Sequence, residues 1–227
     1  MIQPTLSVVI PVFNGSKFLA EALHSVMCQG ISPLEIIVVD DGSSDNSAGV
    51  AEAFAREQGA PVQVIRQENQ GPSAARNKGL RQARGELLVF LDADDLLQEN
   101  SLVEQVAVLE ANPQIQYTWG GTQTFTLVDG QRSLIGPCRN LVNIGSLLFR
   151  RPVFDEIGEF DESLRFSEDM DIFKRLEDHR LLRFTRPEVV LWYRYHGENT
   201  WLGQPGTQDR VFGMLRRRLE RRRAGEI

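Results

Sequence analysis

Cysteine is nearly absent from this chain. Cys28 and Cys138 form neither a metal-binding spacing nor a disulfide framework. Two such thiols are expected to stay reduced, as in a cytosolic protein. Long hydrophobic runs are missing as well. None approaches the roughly 18 apolar residues that a membrane-spanning helix needs. No basic leader precedes the strand-like residues that begin by Leu6, so a signal peptide is not expected. Internal repeats, low-complexity linkers and a second core are lacking, which leaves one domain, or one domain with an extension. A positive surplus is also missing. The net charge of -6 argues against non-specific nucleic-acid binding. That charge is uneven. From Arg210 onward seven Arg face two Glu, a balance of +5, so residues 1–209 hold 18 basic and 29 acidic groups, or -11.

What is present centres on residues 87–95, Leu-Leu-Val-Phe-Leu-Asp-Ala-Asp-Asp. The apolar part reads as a buried strand. It delivers Asp92, Asp94 and Asp95 to its carboxyl end, where open α/β sheets bind ligands. Three neighbouring carboxylates repel one another unless a positive group joins them. A divalent cation with oxygen ligands would do so; a solvated acidic turn is the plainer alternative.

The stretches before it alternate strand and helix. Residues 6–12 and 35–40 read as buried strands, and 62–65 as a third. Phe18, Leu19, Ala22, Leu23, Val26 and Met27 mark one face of a helix over about 16–29. Asp45 or Ser44 is placed to cap a second helix that stops at Gly59. Pro72 opens a third. This alternation predicts a parallel sheet with crossover helices. Ser101 and Glu104 suit a capping box at the head of a fourth helix. Asp129-Gly130 predicts a hairpin turn. A strand over about 142–149, short helices over about 152–157 and 168–177, and a strand over 189–195 complete the pattern.

Four motifs stand in order: Pro11-Val-Phe-Asn14, Val38-Val-Asp-Asp-Gly-Ser-Ser-Asp45, the Asn69–Gly79 stretch, and Phe90-Leu-Asp-Ala-Asp-Asp95. Gly158-Glu-Phe-Asp161, Ser167-Glu-Asp169 and an aromatic strand ending in His196 follow. Over about residues 5–200 the set resembles the family 2 glycosyltransferases, an inverting family with the GT-A fold. The resemblance implies an α/β, Rossmann-like, mostly parallel sheet flanked by helices, with a small antiparallel extension. It implies one domain over 1–207, with a nucleotide-sugar half over about 1–100 and an acceptor half over about 101–207. Residues 208–227 are left as a basic amphipathic tail.

The resemblance also implies roles. Asp94 would be the main ligand of Mg2+ or Mn2+, and Asp92 would face ribose or metal. Asp41 would accept a hydrogen bond from the base, which suits a uracil N–H; capping a helix beside Gly42 is its other reading. Phe13 would lie against the base, or else in the core. Pro11 would meet the donor through its backbone, and Arg76 would contact base or phosphate, or pair with a surface acid. Asp169 would be the general base that an inverting displacement requires, with Glu168 as its substitute. Acids at a helix start are also common caps. His196 is a candidate metal ligand or diphosphate contact. Arg194 and Asn199 are further phosphate candidates, and Trp119 and Trp201 could stack on sugars.

The implied partners are a nucleotide-sugar donor, UDP-sugar foremost, and a glycan or lipid-linked acceptor. The Arg-rich tail would touch an anionic membrane surface, or else cap the domain through Val211 and Leu215. The expected location is cytoplasmic, with peripheral contact at the inner face of the membrane. Two rival readings differ in their residues. A nucleotidyltransferase would want a Gly-rich, basic loop after the first strand, where this chain has Phe13-Asn-Gly-Ser-Lys17. A non-catalytic nucleotide-sugar-binding scaffold would keep Asp41 and Asp94 without needing Asp169.

Overall fold

The computed structural model describes residues 6–32, 34–164 and 167–196. Asn199, Trp201 and the basic stretch 208–227 lie outside the described residues. Strand β1 (Leu6–Val12) is the centre of the nucleotide half, with β2 (Leu34–Asp40) on one side and β4 (Leu87–Phe90) on the other, both parallel to it. Strand β3 (Val62–Arg66) adds to β2, again parallel. The chain thus lays down β1, β2 and β3 in one direction and then returns to the opposite side of β1. Such a reversal opens a crevice between the strand ends at which ligands bind. Here it lies between the segments that leave β1 and β4.

Strands β1, β2 and β4 are buried on both faces, so their side chains serve two cores by turns. Val8, Ile10, Ile36 and Val38 pack with Leu19, Leu23 and Val26 of α1 (Ser16–Met27) and Phe54 of α2 (Ser47–Gln58). Val9, Ile37 and Val39 face the other way, toward Ala75 and Leu80 of α3 (Pro72–Gln82). An aromatic group, Phe90, Phe149, Phe154 and Phe160, fills that second core with edge-on contacts. The apolar stripe expected on α1 is the buried one, and Gly59 ends α2 at φ 60°.

The second half turns the sheet antiparallel. Strand β5 (Leu96–Leu97) and helix α4 (Ser101–Ala111) lead to β6 (Tyr117–Val128). The expected hairpin joins β6 to β7 (Gln131–Arg139). Its turn has positive φ at both Asp129 and Gly130, the geometry that matches strand twist. Strand β8 (Leu147–Arg150) pairs with β4 and β6, and helices α5 (Pro152–Ile157) and α6 (Glu168–Asp178) follow. Strand β9 (Arg183–Arg194) runs parallel to β6 and sets Trp192 beside Leu96 of β5. The last described strand therefore ends against the acidic turn that precedes β5.

Two local expectations are corrected. No capping box forms at α4. Its N-cap is Asn100, the Ser101 hydroxyl lies 3.4 Å from Gln29 and Val190 oxygens, and Glu104 pairs with Arg186. Tertiary partners outbid the local cap. The strand expected over 142–149 is shorter, because Asn143 accepts from the Gly145 N–H at 2.8 Å and winds Ile144–Ser146 into a 3-10 turn. Only Leu147–Arg150 stays extended. Among the described residues no helix is long and apolar enough to cross a membrane.

The β6–β9 pairing carries the end of β9 to the site, and it tolerates no bulk at Gly121. A Cβ there would stand 2.6 Å from the Pro187 carbonyl oxygen and 2.8 Å from that of Glu188. Backbone atoms cannot rotate away as a side chain can. Gly121→Ala is expected to destabilise the fold by about 1–3 kcal/mol, the range of overpacked sites, read as a lower urea midpoint.

Candidate active site

The turn after β4 is built by its own carboxylates and by β9. The Asp95 amide donates to the Asp92 carbonyl at 3.1 Å and closes the turn. Asp95 is buried, and its Oδ1 accepts from the Arg194 amide at 2.9 Å. The buried Arg194 guanidinium donates through Nε to the Asp94 carbonyl at 2.8 Å and through Nη2 to Glu21 at 2.8 Å. It lies over the rings of Phe18 and Phe125. Arg194, a phosphate candidate in sequence, is thus embedded in the frame of the turn.

With Asp95 fixed inside, the Asp92 and Asp94 side chains keep about a third of their surface open, 33% and 31%. Asp94 Oδ2 stands 2.9 Å from His196 Nε2, and the imidazole stacks on Phe18 with centroids 4.7 Å apart. Burial, then the neighbouring Asp92 charge, raises the Asp94 pKa against the pull of His196. Burial, then Asp94 and Asp92, holds Asp95 well above the ordinary carboxylate range. Its three carboxylates thus disfavour one another's ionised forms.

Across the crevice, the segments leaving β1 and β2 are laced together. Asn14 Oδ1 accepts from the Ser44 and Asp45 amides, and Ser43 and Ser47 hydroxyls accept from the Asn14 and Gly15 amides. Asp45 accepts from the Ser16 and Ser47 amides. The N-cap of α2 is Asn46, so neither Asp45 nor Ser44 holds the capping position expected for it. Pro11 pairs with Val39 inside the sheet. Phe13 is 54% exposed, so it is a surface ring and not a core aromatic. Asp40 accepts from the Ser43 amide at 2.9 Å.

Asp41 is buried and bound to the other side of the pocket. Its Oδ1 accepts from Gln67 Nε2 at 2.8 Å and the Gln70 amide at 2.9 Å, and its Oδ2 from the Gly71 amide at 2.8 Å. It thus shapes the approach to α3, not the start of α2. Gly71 has φ 95°, a conformation that glycine permits.

The third wall is the start of α6. Asp169 Oδ2 accepts from the Ile144 amide at 3.0 Å, which is the use of the 3-10 turn. Its Oδ1 is shut from solvent and has no hydrogen-bond partner among the described residues. Burial above all, opposed by Arg76 and aided by Glu168 and Asp92, raises the Asp169 pKa to about 7. Arg76 is 2% exposed and reaches Asp92 at 2.6 Å and Glu168 at 2.7 Å. Tyr193, which the sequence did not single out, feels Asp95, Asp94, Asp92 and Asp169, and burial and these charges raise its phenol pKa. Trp119 packs edge-on against Phe173 of α6 and donates its indole N–H to the Leu141 carbonyl at 3.1 Å. A separate open groove of about 850 Å³ between α4 and β9, lined in part by Glu104, Arg186 and Trp192, contains none of the candidate carboxylates Asp41, Asp92, Asp94 or Asp169.

A mostly parallel sheet with helices on both faces, acids at the ends of β2 and β4 and an antiparallel second half define the GT-A class of glycosyltransferase fold. Comparison with known proteins supplies the family. The model for glycosyl transferase family 2 matches residues 7–163, and the chain belongs to that family. It is 29% identical over 215 residues to an uncharacterized glycosyltransferase of Rickettsia felis, covering 86% of this chain and 35% of that protein. The minor teichoic acid biosynthesis protein GgaA of Bacillus subtilis is 30% identical over 194 residues, 75% of this chain and 42% of that one. The chain spans about a third of the length of the first curated relatives it matches, 35%, 30% and 34%. Among solved structures, S. aureus TarS 1-349 in complex with UDP-GlcNAc has TM-score 0.73 at 21% identity, covering 86% of this chain and 60% of that one. Mannosyltransferase PcManGT from Pyrobaculum calidifontis, in complex with GDP-Man and Mn2+, has TM-score 0.70 at 20% identity, covering 88% and 59%. At these identities the two structures bear on the fold alone.

Asp41 offers a test of how the pocket wall is held. Asparagine keeps one acceptor oxygen and turns an NH2 toward backbone donors. Asp41→Asn is expected to lower stability by about 2–4 kcal/mol, since hydrogen bonds to charged groups contribute about 1.5–3 kcal/mol each. Urea denaturation would read this. An unchanged midpoint would mean that Asp41 does not organise the Gln70-Gly71 approach.

Proposed function

We propose that this chain transfers a sugar from a nucleotide-diphosphate sugar, with UDP-sugar the leading donor, to an acceptor hydroxyl with inversion at the anomeric carbon. The observation that carries this reading is Asp169. It is a carboxylate with one oxygen fixed by the Ile144 amide, the other buried without a partner among the described residues, and a pKa of about 7. A general base works best when its pKa lies near the operating pH. The free oxygen takes the acceptor's proton as the hydroxyl oxygen bonds to the anomeric carbon and the diphosphate leaves from the opposite face. Family membership supports sugar transfer, and the UDP-GlcNAc and GDP-Man complexes of the structural neighbours support a nucleotide-sugar donor. The donor half is read as about residues 1–100 and the acceptor half as about 101–207, with glycan or lipid-linked acceptors.

A divalent ion, Mg2+ or Mn2+, fits the acidic turn. Asp94 and His196 are adjacent and partly open, and the turn has a surplus of negative charge. Among the described residues no three His, Cys, Asp or Glu side chains converge as a cage, which suits an ion completed by phosphate oxygens and water. When bound, such an ion neutralises charge that develops on the diphosphate. Asp92, partly open on the same turn, would face the ribose or the metal. Asp41 uses three of the roughly four acceptor positions of a carboxylate. The remaining one suits a base N–H at the pocket edge, where Phe13 and Pro11 would add the ring and backbone contacts.

The test pairs turnover with binding. Asp169→Asn is expected to lower kcat by about 10²–10⁴-fold, the range of general-base contributions. Thermal shifts on adding UDP with Mn2+ should persist, because a ligand of the native state raises apparent stability by mass action. The wild-type rate should fall below about pH 7 as Asp169 gains its proton. Full transfer by Asp169→Asn would sink the base assignment. Wild-type inactivity over a donor and acceptor panel would favour a binding scaffold.

A further inference from the structure

The least expected feature of the site is the place of Arg76. It lies on α3, with Ala75 and Asn77 buried beside it, and its guanidinium packs 5.7 Å from the Phe160 ring centroid. One arm, Nη2, donates to Asp92 Oδ1 at 2.6 Å, and the other, Nη1, donates to Glu168 Oε1 at 2.7 Å. The third donor, Nε, is buried with no hydrogen-bond partner among the described residues. Burying a cation costs several kcal/mol, and apolar residues of similar size often give equal or greater stability. An incompletely satisfied arginine is therefore a poor device for holding α3 in place. What it does uniquely is geometric. The rigid fork spans two carboxylates from distant segments, one on the acidic turn and one beside Asp169.

We propose that Arg76 is a positioning residue that bridges Asp92 to Glu168 and so couples the donor-side turn to the helix start that presents Asp169. This rests on the reading of Asp169 as the base. A bridge of this kind sets the distance between the two halves of the reaction, the leaving group and the proton acceptor. A misplacement of about 1 Å can cost about 10²-fold in rate. Glu168 is then the anchor by which the bridge holds α6, not a substitute base. The bridge also sets the charge around Asp169. The groups that face it are Arg76 from α3, Asp92 from the turn after β4, Glu168 from its own helix and the Tyr193 phenol from β9, with the Ile144 amide from the 3-10 turn. Arg76 favours the ionised form of Asp169, and Glu168 opposes it. The two ends of one bridge therefore act on the base with opposite signs.

This opposition gives the test. The acid limb of kcat/KM is measured between about pH 5 and pH 9 for wild type, Arg76→Gln, Arg76→Lys and Glu168→Gln, with UDP affinity followed in parallel. Losing the cation should move the limb upward by about one pH unit, and losing the Glu168 charge should move it downward by a similar amount. Arg76→Lys keeps the charge but cannot span both carboxylates, so its limb stays near wild type while kcat falls about tenfold or more. A folding defect lowers all rates and cannot move the limb in opposite directions. Should Arg76→Gln fail to fold, the lysine and glutamine variants at 76 and 168 still decide the matter. Limbs that stay fixed, or move together, while wild type shows a limb and Asp169→Asn is inactive, would overturn the bridge and leave the base standing. A wild type without an acid limb would remove the base, and this inference with it.

Discussion

Five carboxylates, Asp92, Asp94, Asp95, Glu168 and Asp169, crowd the carboxyl end of β4 and the start of α6, and their repulsion is the constraint that the surrounding structure answers. Two like charges about 4 Å apart repel by about 4 kcal/mol at the effective dielectric of a protein surface. The chain meets this with two buried guanidinium groups. Arg194 lies under the turn, donating to the Asp94 carbonyl and to Glu21. Arg76 lies across the crevice between Asp92 and Glu168. Burial above all, with neighbouring carboxylates adding to it, raises the pKa values of Asp94, Asp95 and Asp169 in spite of these cations.

Seen this way, the second half of the sheet exists to bring remote charges to a fixed place. Strand β9 pairs with β5 directly after the acidic turn, so Arg194 and His196 arrive beside Asp94 by backbone register. The 3-10 turn before β8 supplies the Ile144 amide to Asp169. Aromatic packing keeps these approaches rigid: Phe18 supports both His196 and Arg194, and Phe160 supports Arg76. Rigid support matters because preorganised dipoles and charges need no rearrangement when the reaction's own charge develops.

Much of this was legible in the chain because it is local. Alternation of buried strands and striped helices showed the parallel half, since each periodicity is a property of a few neighbouring residues. Asp129-Gly130 showed the hairpin for the same reason. The acids at the ends of β2 and β4 were legible by position. What stayed hidden is non-local. Nothing near Arg76 in sequence says that its partners stand 16 and 92 residues away. Nothing near Arg194 points back 173 residues to Glu21. The two-residue strand β5 is too short to carry a period. The capping pattern of Ser101 and Glu104 misled because both side chains have better partners across the fold.

The same distinction separates the acids by task. Asp41 and Asp45 resemble Asp92 and Asp169 in sequence, each standing after a strand or before a helix. Their oxygens differ in occupancy. Both oxygens of Asp41 are engaged, by Gln67, Gln70 and Gly71, with one acceptor position left, and both of Asp45 are engaged by Ser16 and Ser47. Such carboxylates act as templates that set loop shape, because each bond to a charged acceptor is worth more than a neutral one. Asp169 has one oxygen tied and the other without a partner among the described residues, which fixes the group and leaves it basic. A fully satisfied acid cannot accept another proton without giving up a bond, and an acid with no anchor cannot hold its aim. The partly satisfied state suits the general-base role proposed for Asp169, and it is set by hydrogen-bond count and not by residue type.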